Sequence, residues 1–101
     1  MTGLDEIQQL MADLYLDRDK SRGLDRTVLW FVSEVGELAE IIAKKRANKN
    51  YNSMLTDELA DCLAWIYSIA NILNINLKQA LFTKYPNKCP RCGKNPCDCD
   101  F

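Results

Sequence analysis

Two stretches of this sequence decide the fold, WFVSEVGELAE at residues 30–40 and DELADCL at residues 57–63. In each stretch apolar side chains recur every three or four residues, which is the spacing of one face of an α-helix. Each stretch also holds two acidic side chains three residues apart: Glu34 and Glu37, then Glu58 and Asp61. The sequence therefore predicts two consecutive amphipathic helices, each carrying a pair of carboxylates at the edge of its apolar face.

The same periodicity extends outward to about four helices, which we expect at residues 4–16, 26–48, 53–73 and 77–84. The third is apolar on most of its circumference and is expected at the centre of the bundle. No strand-like alternation occurs, so the predicted fold class is all-α. Because the third helix is apolar on more faces than one short chain can cover, we expect a helical bundle that is completed by oligomerisation. Residues 17–25 predict a flexible connector whose basic side chains face either a phosphate or solvent: Arg18, Lys20 and Arg22.

Length and charge limit what the protein can be. A chain of 101 residues supports one core, so we expect a helical domain at residues 1–85 and an appended tail at residues 86–101. A net charge of -1 gives no bulk attraction to a nucleic-acid polymer or to an anionic membrane. No signal peptide or membrane span is recognisable, which favours a cytoplasmic protein.

The two carboxylate pairs predict a metal site. If their helices pack antiparallel, as a short connector favours, the four carboxylates meet in a half-buried cluster whose mutual repulsion a cation would relieve. Oxygen ligands without histidine or thiolate select Mg²⁺ or Mn²⁺, and Mg²⁺ commonly shares its shell with substrate phosphates. Acidic residues three apart are also common on solvated helix faces, so the pattern by itself leaves both interpretations open.

These acidic stretches resemble the MazG nucleotide pyrophosphohydrolases, whose signature is E-x-x-E on one helix and E-x-x-D on the next. The likeness covers most of residues 4–85. It implies an all-α homodimer or homotetramer that hydrolyses nucleoside or deoxynucleoside triphosphates with Mg²⁺, giving the monophosphate and pyrophosphate. By position it implies four metal ligands: Glu34, Glu37, Glu58 and Asp61. Glu37 is also our candidate for the catalytic carboxylate that orients the attacking water.

Three further side chains are candidates for substrate binding. Trp30 lies one turn before Glu34, and Trp65 lies one turn beyond Asp61. Each indole either stacks on a nucleotide base or simply packs in the core. Lys84 lies where relatives often place a lysine near the end of the fourth helix, so the resemblance makes it a candidate as well.

The C-terminal tail predicts a second metal site. Four of the five cysteines lie in the last thirteen residues with the spacing C-x2-C-x4-C-x-C: Cys89, Cys92, Cys97 and Cys99. Cys-Pro-x-Cys-Gly is typical of the turn of a zinc knuckle, and four thiolates would hold Zn²⁺ in a closed structural site. A disordered tail, a redox pair and an iron–sulfur cluster are the alternatives.

Three functions remain compatible with the sequence. The first is a nucleoside triphosphate pyrophosphohydrolase. The second is a zinc-bearing helical interaction module whose carboxylates form only an acidic surface. The third keeps the fold and the chemistry but takes phosphoribosyl-ATP or another phosphoanhydride as substrate.

Overall fold

The helices predicted from hydrophobic periodicity are present in the computed structural model, which describes residues 3–100. In chain order they are α1 (Leu4–Arg22), α2 (Leu24–Lys44), α3 (Tyr51–Ile72) and α4 (Leu77–Lys84). No strand occurs among the described residues. The all-α prediction is therefore confirmed. Over the same residues, no helix is both long enough and apolar enough to cross a membrane.

The predicted flexible connector at residues 17–25 is wrong. Helix α1 continues to Arg22, and only Gly23 separates it from α2. Residues 17–22 contain no glycine or proline, and the ion pair between Asp19 and Arg22 spans one helical turn with 2.8 Å between Oδ1 and Nη1. A run of charged residues is common in loops, but here an ion pair within it stabilises the last turn of a helix.

Gly23 forms the corner between α1 and α2. Its φ of 91° and ψ of 160° lie in a region that only glycine adopts readily. The hydroxyl of Thr27 donates to the carbonyl oxygen of Gly23 at 2.8 Å and accepts from Arg22 at 3.3 Å. Because Thr27 is fully buried, these bonds fix the direction in which α2 leaves α1.

The ends of α2 and α3 differ from the predicted bounds by one to four residues, and neither helix has a side-chain cap at its N-terminus. Helix α4 has the predicted bounds. Asn76 followed three residues later by Gln79 is a capping-box pattern that predicts a helix start, and the side chain of Asn76 accepts from the backbone amide of Gln79 at 2.8 Å. A specific cap therefore marks a helix end more sharply than hydrophobic periodicity does.

Helix α3 is the centre of the bundle, as its apolar circumference predicts. It packs against both α1 and α2, whereas α4 packs against α1. Its buried side chains include Cys62, Tyr67 and Ala70, and the hydroxyl of Tyr67 donates to the carbonyl oxygen of Leu4 at 3.4 Å. This packing holds the acidic turns of α2 and α3 side by side.

Candidate active site

The two predicted carboxylate pairs meet where α2 and α3 pack together. One carboxylate oxygen from each of Glu34, Glu58 and Asp61 lies within 4.8 Å of the others. Glu34 and Glu58 are half-buried, while Asp61 is exposed. Side chains from two helices thus form one acidic cluster, which has the composition of a site for a hard divalent cation.

Glu58 is the most perturbed group of this cluster. A hydrogen bond with Glu34, followed by burial and by a hydrogen bond with Glu37, raises the pKa of Glu58 from 4.5 to about 8. Its Oε2 atom is buried and has no hydrogen-bond partner among the described residues. A cation would supply both the missing partner and the missing positive charge, so these residues fit Mg²⁺ or Mn²⁺.

Glu37 occupies a different position from the other three carboxylates. It is exposed, and it is not part of the set whose oxygens lie within 4.8 Å of one another. Its contact is with Glu58, whose pKa it helps to raise. Glu37 therefore lies at the edge of the cluster, where it is accessible to water.

A cavity of about 320 Å³ opens beside the cluster and is lined by all three long helices. Glu34 and Asp61 form part of its wall, together with Trp65. Helix α1 contributes the basic side chains Arg18 and Arg22. Acidic, basic and aromatic groups therefore share one cavity.

Arg22 is held in this cavity by a buried carboxylate. Asp19 is 1% exposed, and its Oδ1 accepts from Arg22 while its Oδ2 has no hydrogen-bond partner among the described residues. The guanidinium carbon of Arg22 lies 5.0 Å from the centre of the Trp65 ring, within the range of a cation–π contact. The sequence did not point to Asp19, although its spacing of three residues from Arg22 was the available signal.

The two tryptophans lie side by side. The rings of Trp30 and Trp65 are nearly parallel, at 5°, with centroids 6.3 Å apart. Trp30 is 54% exposed, so ordinary core packing does not account for it within one chain. Lys84 does not line the cavity, and its Nζ lies 5.6 Å from the ring of the neighbouring Tyr85.

The four tail cysteines form a second cluster, in which all four sulfur atoms lie within 4.8 Å of one another. Backbone amides of Cys92 and Arg91 lower the pKa of Cys89 to about 6. Hydrogen bonding to Cys97 and burial raise the pKa of Cys99 to about 12. The backbone amides thus favour the thiolate form of Cys89, whereas its neighbours favour the protonated form of Cys99.

The model of the MazG nucleotide pyrophosphohydrolase domain matches residues 22–93, which is most of the chain. The chain belongs to this family. The MazG match includes both acidic pairs and both tryptophans, and it supports hydrolase activity on a nucleotide. It begins after Asp19 and ends before Cys97. No curated protein matches the chain.

Proposed function

We propose that this chain is a Mg²⁺-dependent pyrophosphohydrolase that converts nucleoside or deoxynucleoside triphosphates to the monophosphate and pyrophosphate. The observation that carries the proposal is the acidic cluster, in which oxygens of Glu34, Glu58 and Asp61 lie within 4.8 Å of one another. Membership of the MazG family supplies the class of reaction. Glu34 and Asp61 of this cluster line a cavity that also presents cationic and aromatic groups.

The acidic cluster and Glu37 are the proposed ligands of the catalytic metal. When bound there, Mg²⁺ would neutralise charge on the phosphate oxygens and lower the pKa of the attacking water. Mn²⁺ has similar ligand preferences and is expected to substitute. The orphaned Oε2 of Glu58 supports this assignment because a buried carboxylate oxygen without a partner is costly.

Glu37 is the proposed catalytic carboxylate. Its exposed position beside Glu58 lets it accept a hydrogen bond from water and direct the water oxygen toward the α-phosphorus. A bond forms between that oxygen and the α-phosphorus, and the bond from the α-phosphorus to the bridging oxygen breaks. Pyrophosphate leaves with that oxygen, and the proton of the water passes to the carboxylate and then to solvent.

The cavity beside the cluster is the proposed nucleotide site. Arg22 and Arg18 line it and are suited to contact phosphate oxygens. Trp65 lines the same cavity, and the ring of Trp30 stacks against the ring of Trp65, so an aromatic surface is available for the base. Lys84 stays a candidate only for contacts made across an oligomer, since it lies outside this cavity.

We further infer that the chain forms a homodimer or homotetramer. Large apolar side chains on α2 and α3 are between 49% and 68% exposed: Leu29, Val32, Leu59 and Leu63. Exposed apolar residues at helical spacing on two neighbouring helices are typical of an interface. A second copy of the chain would cover them and bring further side chains close to the acidic cluster.

A nucleotide panel tests the proposed function. Purified protein is incubated with each common ribonucleoside and deoxyribonucleoside triphosphate, and with phosphoribosyl-ATP, in Mg²⁺ or in chelator. The expected products are a monophosphate and pyrophosphate, formed only with the metal. A diphosphate with inorganic phosphate would instead indicate attack at the γ-phosphorus. If none of these compounds is hydrolysed, the result contradicts the proposal and favours a helical interaction module.

A further inference from the structure

The four cysteines of the tail lie outside the proposed active site. They come from an eleven-residue segment, residues 89–99, that follows α4 and contains no helix or strand. Even so, all four sulfur atoms lie within 4.8 Å of one another. Four thiols that converge from so short a segment require a specific backbone path.

The first part of this path is a tight turn at Cys89–Gly93. The amide of Gly93 donates to the carbonyl oxygen of Cys89 at 2.8 Å, and the amide of Cys89 donates to the carbonyl oxygen of Lys94 at 2.9 Å. Gly93 has a φ of 74°, which favours glycine. The turn brings the sulfur atoms of Cys89 and Cys92 to the same cluster.

Backbone amides point at three of the four sulfur atoms. Cys89 Sγ accepts from the amide of Arg91 at 3.4 Å, and Cys92 Sγ accepts from the amide of Asp98 at 3.3 Å. Cys97 Sγ accepts from the amide of Cys99 at 3.3 Å. Amide donors to sulfur are the outer contacts that orient and stabilise thiolate ligands around a metal.

Burial in this segment is confined to the sulfur cluster. From residue 86 to residue 100, every residue is exposed except Cys89, Cys92 and Cys99. Among residues 86–100, therefore, no apolar core is available to hold the segment in place. The free energy that orders the segment must come from another source, and a metal that binds only the folded form is such a source.

The spacing of the sulfur atoms fits a tetrahedral metal site. Four sulfurs at about 2.3 Å from a zinc ion lie about 3.8 Å from one another. The sulfur atoms of Cys89 and Cys99 are 3.6 Å apart, close to that value. We propose that Cys89, Cys92, Cys97 and Cys99 bind one Zn²⁺ per chain as a closed, structural tetrathiolate site that folds the tail.

This zinc site is chemically distinct from the acidic cluster. Thiolates are soft ligands that retain Zn²⁺, whereas carboxylates prefer Mg²⁺ or Mn²⁺. Excess Mg²⁺ is therefore expected to leave the zinc in place. Four protein ligands leave no open position, so the ion is not expected to bind a water for chemistry.

Metal analysis of the full chain tests the proposal. Protein is purified under reducing conditions without chelator, and its metals are measured by mass spectrometry. The expected content is about one zinc per chain, with four sulfur neighbours near 2.3 Å by X-ray absorption. Cys89→Ser and Cys97→Ser are each expected to lower zinc content at least ~10-fold, because a closed site lacking one ligand holds the ion weakly. Cys62→Ala, which alters the buried cysteine of α3, should retain the zinc.

The response of the fold provides a second readout that is independent of enzyme activity. Removal of zinc, or Cys89→Ser, should collapse the amide chemical shifts of residues 86–100 toward random-coil values while helical circular dichroism is kept. Iron in place of zinc, disulfides among these cysteines in the reduced preparation, or no thiophilic metal would each overturn the proposal. Zinc coordinated by oxygen rather than sulfur would overturn it as well.

Discussion

Arg22 donates to Asp19 over 2.8 Å, and this ion pair lies on the wall of the cavity that contains Glu34 and Asp61. The side chain of Asp19 is 2% exposed and that of Arg22 is 18% exposed. A guanidinium held by a buried carboxylate and by the ring of Trp65 loses little freedom when it contacts a phosphate. The pair thus links the corner between α1 and α2 to the proposed nucleotide site.

Arg22→Gln is expected to lower both stability and activity. The substitution leaves the Asp19 carboxylate buried without its ionic partner, which should reduce the free energy of unfolding by about 3 kcal/mol. Loss of a phosphate contact should also lower kcat/KM at least ~10-fold. Urea denaturation and steady-state kinetics measure the two effects.

Lys20→Gln is the matched control for this substitution, because Lys20 is an exposed basic residue of the same helix. In the double variant Asp19→Asn/Arg22→Gln, the loss of stability should be smaller than the sum of the two single losses. Additive losses would show that the two side chains do not depend on each other.

Gly23→Ala is expected to destabilise the corner between α1 and α2. A Cβ atom at this position would meet no atom within 4 Å, so the cost comes from the backbone alone. Because φ is 91° and ψ is 160° at this position, the substitution should reduce the free energy of unfolding by about 1–3 kcal/mol. Thermal and urea unfolding provide the measurement, with the exposed neighbour Ser21→Ala as control. Equal stability of the two variants would mean that the corner can adopt another conformation.

The acidic cluster predicts how the stability of the metal-free protein depends on pH. A hydrogen bond with Glu34, together with burial, raises the pKa of Glu58 from 4.5 to about 8. Between these two values the folded protein retains a proton on Glu58 that the unfolded chain releases. The stability that follows from the raised pKa of Glu58 is therefore complete below pH 4.5 and is lost as the pH rises through 8. Urea unfolding in chelator should show this decline.

Two variants isolate that pH effect. Glu58→Gln should remove most of the decline, because an amide does not titrate in this range, whereas the exposed Glu40→Gln on α2 should retain it. At high pH in chelator, Glu58→Gln should be no less stable than the parent, because it removes a repelled charge. The same pH profile in all three proteins would exclude Glu58 as its source.

The exposed apolar faces of α2 and α3 predict a homo-oligomer. Light scattering at micromolar concentration should give at least twice the mass of one chain. Leu59→Glu should shift the mass toward that of the monomer, because Leu59 is 56% exposed and would place a charge in the interface. Asn52→Glu, an exposed polar position of the same helix, is the control. A monomeric parent protein would contradict the prediction.

The sequence predicted the parts of the fold that depend on local pattern. Apolar periodicity located α2 and α3, and the pair Asn76 and Gln79 marked the start of α4 through a cap that is present. The convergence of Glu34 with Glu58 followed from helical spacing and a short connection between their helices. Such features are encoded within a few residues of one another.

The corner between α1 and α2 could not be predicted in this way. Asp19 is buried because α1 continues past it and packs against α3, and a charged segment carries no local signal of that packing. The contact of Arg22 with Trp65 joins residues that are far apart in the sequence. The sequence left the basic side chains of this segment facing either a phosphate or solvent, and only the tertiary structure places Arg18 and Arg22 in the cavity of the proposed nucleotide site.

The most direct test of the proposed function compares carboxylate variants in Mg²⁺-dependent release of pyrophosphate from the nucleoside triphosphate that the parent protein hydrolyses fastest. Four variants should each lower turnover at least ~100-fold while keeping helical circular dichroism: Glu34→Gln, Glu37→Gln, Glu58→Gln and Asp61→Asn. Asp57→Asn, which changes the exposed neighbour of Glu58, should retain the parent rate. Unchanged turnover in Glu58→Gln and Asp61→Asn would contradict the assignment of the acidic cluster as the catalytic metal site.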